Sequence, residues 1–126
     1  MANTINLQPQ VLDLSLYAGD GVEFRLVCTD PDDAPLNVDG ETEAQIRVDR
    51  LTDTDPLVEF ATDMSNASSG IIGLSLTGEQ TQELMADPSV TKGKFTGVWD
   101  IQWTPPDEQP RTLCQGKVEC LADVTR

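Results

Sequence analysis

The sequence predicts an all-β fold: an immunoglobulin-like antiparallel sandwich of about seven strands, with one short helix at residues 78–86. Three observations point there. Seven segments alternate apolar and polar residues with a period of two, as strands do when their side chains point to opposite faces. Clusters of Gly, Pro, Asp, Asn and Ser separate them at intervals of about eight to twelve residues, the turn spacing of such sandwiches. A capping-box match, Thr77-Gly78-Glu79-Gln80, marks the helix.

Residues 1–10 are polar, contain Pro9, and read as an arm ahead of a single domain at residues 11–126. The first strand, residues 11–17, turns Leu12, Leu14 and Leu16 inward, with Asp13 and Ser15 outward. Ala18-Gly19-Asp20-Gly21 suits a turn needing positive φ. The second strand, residues 22–29, sets Val22, Phe24, Leu26 and Cys28 against Glu23, Arg25 and Thr29, so a β-hairpin is expected. Asp30-Pro31-Asp32-Asp33-Ala34-Pro35 is a loop, since two prolines exclude a central strand. The third strand, residues 42–51, points Ala44, Ile46 and Val48 inward, and a fourth is expected over residues 57–62.

A small-residue loop over 63–70 leads to the fifth strand, residues 71–76, with Ile72, Leu74 and Leu76 on one face. The Thr77 hydroxyl is placed to take the Gln80 N–H while the Gln80 side chain returns the bond, and Asp87-Pro88 ends the helix. Leu84 and Met85 are its apolar contacts. So short a helix needs support, so it is expected to plug one end of the sandwich. The sixth strand carries both tryptophans: Phe95, Trp99, Ile101 and Trp103 share one face and Thr96, Asp100 and Gln102 the other, with Val98 out of pattern. A proline-rich hairpin loop, residues 104–110, precedes the last strand, residues 111–121, with Cys114, Gly116, Val118 and Cys120 on one face.

Composition narrows the function. At 126 residues the chain suits one domain with a real core. Its net charge of −14, from 22 acidic and 8 basic residues, argues against a nucleic-acid partner, because phosphate contacts need clustered Lys and Arg. The same excess argues against an anionic membrane surface. No apolar run approaches the roughly 20 residues of a membrane-spanning helix. Met1-Ala2-Asn3-Thr4-Ile5 has no basic, apolar leader pattern, so a chain complete from its own Met and without a signal peptide is expected.

No enzyme is expected. His is absent, which removes Ser–His and Cys–His nucleophile pairs and the commonest metal ligand. No phosphate-binding or dinucleotide-binding glycine motif occurs, and no cofactor is expected. Cys28, Cys114 and Cys120 are odd in number and irregular in spacing, which suggests free thiols of a reducing cytoplasm; Cys114 and Cys120, six apart in one strand, are too far apart to pair unless that strand is broken, and Cys28 could pair with one of them only by cross-strand placement. Asp100 points away from the aromatic face and is not a catalytic candidate. The sole metal candidate is a weak calcium site, Asp30, Asp32, Asp33, Asp39 and Glu41, whose spacing does not match an EF-hand. Asn66-Ala67-Ser68 is a chance glycosylation match. Phe95, Trp99 and Trp103 could form a sugar-stacking stripe, but alternation favours core, with Trp103 alone a candidate for the rim.

Several motifs in order carry a resemblance: Tyr17-Ala18-Gly19-Asp20-Gly21, Leu36-Asn37-Val38-Asp39-Gly40, Gly70-Ile71-Ile72-Gly73-Leu74-Ser75-Leu76-Thr77, Trp99-Asp100-Ile101-Gln102-Trp103, Gly116-Lys117-Val118-Glu119-Cys120 and Asp123-Val124-Thr125-Arg126. This order resembles the small β-sandwich domain of tailed-phage structural proteins, found in minor tail and other virion proteins of actinobacterial phages. It is similar in layout to the N-terminal domain of baseplate upper proteins. The resemblance, over residues 11–126, implies a non-enzymatic virion part, assembled in the host cytoplasm and packed in multiple copies against other tail or capsid subunits. A connector in the minor tail is the leading expectation, a capsid decoration protein the first alternative, and a carbohydrate- or receptor-binding module the second.

Overall fold

A computed structural model describes residues 10–30, 32–49 and 55–122. Among the described residues nine strands form two facing sheets: β1 (Gln10–Val11), β2 (Leu14–Tyr17), β3 (Val22–Val27), β4 (Glu41–Arg47), β5 (Val58–Glu59), β6 (Ala61–Asp63), β7 (Ile71–Leu76), β8 (Lys94–Thr104) and β9 (Arg111–Leu121). A helix, α1 (Gly78–Leu84), joins β7 to β8. The first sheet runs β1/β2-β9-β8-β4-β5 and the second β3-β7-β6. This is the immunoglobulin-like layout, with the lead strand lying parallel on the last one.

The tryptophan strand is the spine. β8 pairs with β4 on one side and β9 on the other, and Phe95, Gly97, Trp99, Ile101 and Trp103 are all buried. Across the β8–β9 ladder large residues meet small ones: Phe95 opposes Cys120, Trp99 opposes Gly116 and Ile101 opposes Cys114. The register slips between Ile101 and Gln102, and Leu113 and Cys114 are both buried there. The Trp99 ring meets Phe24 edge-on at 5.9 Å and Phe60 at 5.6 Å, joining the two sheets at the centre of the core.

The helix begins as its sequence predicts. Thr77 Oγ1 accepts from Gln80 N–H at 3.2 Å, and Gln80 Oε1 accepts from Thr77 N–H at 2.9 Å. The helix ends at Leu84, two residues short of the expected Ala86. Leu84 and Thr81 are fully buried, and the Thr81 hydroxyl bonds Gly19 N–H (3.1 Å) and the Asp20 carbonyl (2.9 Å). Gln80 Nε2 reaches the Glu59 carbonyl at 2.7 Å.

Three expectations are corrected. The expected hairpin of residues 11–17 with 22–29 does not form: β2 pairs parallel with β9, and β3 pairs with β7 in the opposite sheet. Residues 18–21 are a turn between sheets, and turn chemistry does not distinguish that from a turn between neighbours. The first predicted strand is broken at Leu12 and Asp13, leaving Leu12 40% exposed instead of inward. The predicted strand over 57–62 is two strands, because the chain changes sheet at Phe60: β5 pairs with β4, and β6 with β7. Of the expected third strand, Val48 is half-buried beyond the end of β4 and Leu51 lies outside the described residues, as does the expected arm except for Gln10.

Candidate functional site

The break in the lead strand has a structural cause. At Leu12 the main chain folds over β9, and a Cβ built on Gly116 would stand 1.9 Å from the Leu12 oxygen. The Trp99 indole N–H donates to that same oxygen at 2.7 Å, and the Asp13 carboxylate accepts from Lys117 N–H at 2.9 Å. The large aromatic and the missing side chain opposite it thus hold the lead strand on the sheet. Trp103, 7% exposed, donates its indole N–H to the Asp39 carbonyl at 3.0 Å. Phe95, Trp99 and Trp103 are therefore core: the stripe offers no exposed stacking platform, and Trp103 is not an open rim residue.

Of the five acids of the calcium candidate, Asp30, Asp32, Asp33 and Asp39 sit in the connection from β3 to β4, and Glu41 is the first residue of β4. Asp30 Oδ1 is engaged by Asp32 N–H at 2.8 Å and Ala34 N–H at 3.0 Å, an Asx turn that shapes its own loop. Asp33 takes a left-handed φ of 62°. Among the described residues no group of three His, Cys, Asp or Glu stands where it could hold a metal ion.

The three thiols are free. Cys28 is half-buried at the end of β3, whereas Cys114 and Cys120 are buried on β9. Burial pushes all three above the ordinary thiol range, Cys120 to about 11. At neutral pH they stay protonated, the unreactive form.

The outer face of the first sheet carries an open polar cleft of about 480 Å³ between β4, β8 and β9. Its side chains are tied to one another. Arg47 donates to Gln45 Oε1 at 3.0 Å, and Gln45 Nε2 reaches Glu43 at 2.5 Å and Glu59 at 3.2 Å. Asp100 faces this side, in register with Gln45 and Gln115. A self-satisfied network of this kind reads as a solvated sheet face.

The unsatisfied surface lies elsewhere. The large hydrophobic residues most open to solvent among the described residues are Val11 and Val27 (each 71%), Tyr17 (53%) and Leu12 (40%). All belong to the lead strand or β3, which border one flank of the sandwich. Gln10 of β1 and residues 26–29 line the same cavity of about 330 Å³ there, with Leu36 and residues 112–114. Val11, Tyr17 and Val27 fall on the outward parity of their strands; what alternation does not show is that those strands border one flank.

No family model matches the chain, and no curated protein matches it. Among solved structures it is similar to the "N-terminal domain of phage TP901-1 ORF48", with a TM-score of 0.37 and 9% identity over 92% of this chain and 90% of that one. A likeness at that level carries no argument about function.

Proposed function

We propose that the chain is a non-enzymatic structural module of a bacteriophage virion that works through contacts with neighbouring subunits, most concretely as a minor-tail connector. The reading as a contact module is carried by one observation: large apolar side chains stay open on the two strands that border one flank, Val11, Leu12 and Tyr17 on the lead strand and Val27 on β3. The virion setting is supported by the ordered motifs from Tyr17 to Arg126 that resemble tailed-phage sandwich domains. Burial of Phe95, Trp99 and Trp103 favours it over the carbohydrate-binding alternative, which needs open rings. Capsid decoration uses the same contact chemistry and is separated from the tail reading by location alone.

Mass spectrometry of separated heads and tails is the test: the chain is expected in the tail fraction. Recovery in heads would replace the connector with a decoration protein, and absence from both would overturn the virion reading. A chain lacking residues 1–10 is expected to fold but to enter particles less well, and normal incorporation would remove the arm from the contact.

A further inference from the structure

The outer edge of β3 differs from the other sheet edges. β5 has two residues and β6 three. The β1/β2 edge is interrupted at Leu12 and Asp13, where the Asp13 carboxylate takes the place of a main-chain acceptor for Lys117. Short or broken edges keep sheets from growing. β3 has six residues, no proline and no interruption, and among the described residues pairs with β7 alone. Its inward side chains, Val22, Phe24 and Leu26, are half-buried, whereas their partners Leu76, Leu74 and Ile72 on β7 are buried to 3% exposure or less. The core is unfinished along this edge.

The ladder shows which main-chain groups are free. Cys28 N–H donates to the Gly70 carbonyl at 2.7 Å, continuing the β3–β7 register. Alternation along an antiparallel pair then turns the groups of Leu26, Phe24 and Val22 toward β7, and those of Val27, Arg25 and Glu23 toward the outer edge, where no described strand pairs with them.

We infer that β3 pairs antiparallel with β3 of a second copy of this chain, about a two-fold axis at Phe24, joining two three-stranded sheets into one. Registers that shift by one residue would turn the inward face outward and are excluded. Of the remaining registers, the one centred on Phe24 sets Glu23 against the second copy's Arg25, twice over, at positions whose free main-chain groups face each other. It also sets Val22 against Leu26 and Phe24 against Phe24. A shift of two residues either way sets Glu23 against Glu23 or Arg25 against Arg25. The edge is thus complementary to itself in one register. A self-complementary patch is what a two-fold dimer requires. This pairing goes beyond the virion reading, since it forms in solution whatever particle the chain enters.

Sedimentation equilibrium of the full chain, over a roughly hundredfold dilution series, tests it. The wild type is expected to show twice its 13.7 kDa mass at the concentrated end. Arg25→Glu and Glu23→Arg each turn both cross-strand pairs from attraction to repulsion and are expected to weaken the dimer about tenfold or more. The double variant Glu23→Arg/Arg25→Glu restores opposite charges, as does mixing the two single variants, so both are expected to dimerise. A monomer throughout the series overturns the proposal, as does a dimer indifferent to these charges. A chain lacking residues 1–9 is expected to remain dimeric, and a monomer there would overturn β3 pairing in favour of the arm.

Discussion

Replacing Gly116 by alanine adds one methyl group where the main chain of the lead strand crosses β9. That methyl would lie 1.9 Å from the Leu12 oxygen and 2.6 Å from its carbonyl carbon. Ordinary contact requires the crossing to lift by at least about 1 Å. The lift breaks the 2.7 Å bond from the Trp99 indole, which is 1% exposed and has no route to water, and loosens the Asp13–Lys117 bond. A buried donor left without a partner costs about 1–3 kcal/mol, and the more exposed Asp13 bond adds about 0.5–1 kcal/mol. The expected loss is therefore about 2–4 kcal/mol, a large share of the roughly 5–15 kcal/mol that stabilises a domain. In melting temperature this is a drop of about 8–15 °C for a chain of this length. Urea unfolding followed by tryptophan fluorescence reads it directly. Gly21→Ala is the control: its nearest neighbour would be the Leu76 oxygen at 3.7 Å, an ordinary contact, and stability is expected to stay within about 1 kcal/mol. If Gly116→Ala melts within about 2 °C of the wild type, the crossing is not rigid and this account of the lead strand fails.

Three further outcomes follow from groups in or near the core. Thr81→Val keeps the volume but removes the hydroxyl that ties Gly19 and Asp20 to α1, and is expected to destabilise by about 2 kcal/mol, measured by chemical denaturation. No change would mean that water replaces the hydroxyl. The thiols should react with a thiol-specific reagent in the order of their exposure, Cys28 first, with Cys114 and Cys120 slow until the protein unfolds. Because burial raises Cys120 from the ordinary 9.0 to about 11, the folded state keeps a proton that the unfolded state releases. Its contribution to stability is present below about pH 9 and is lost as the pH rises toward 11. Urea titrations on either side of that window should show the loss, and Cys120→Ala should flatten it.

The parts of the fold that were legible in the sequence are local ones. Alternation placed β3, β7, β8 and β9 because the two-residue period is a property of the strand itself. The Thr77–Gln80 box placed the start of α1 for the same reason: both partners lie in one turn. What escaped depends on distant segments. Nothing near Phe60 says that the chain changes sheet there, since β5 and β6 share one alternating run and differ only in their neighbours. Nothing near residues 18–21 says that β2 answers to β9, almost a hundred residues on. Gly116 was placed on the inward face by alternation, but alternation does not read what a glycine inside a strand can mark, a close backbone approach, which here lies opposite Trp99. Thr81 gave no such signal, because a buried threonine on a short helix looks like a surface one. The candidate surface was hidden for the same non-local reason. Glu23 and Arg25 read as ordinary outward residues until β3 is known to have a described neighbour on one side alone.

The parallel contact of β2 with β9 also decides how the domain meets tension. A pull applied at Gln10 and at Ala122 enters β2 at one end and leaves β9 at the opposite end. The rungs from Leu14–Val118 to Tyr17–Leu121 are then loaded in shear together, where a hairpin gripped at its open end would peel rung by rung. Resistance to stretching is built into the strand order, and it depends on the Trp99 indole keeping the first rungs seated.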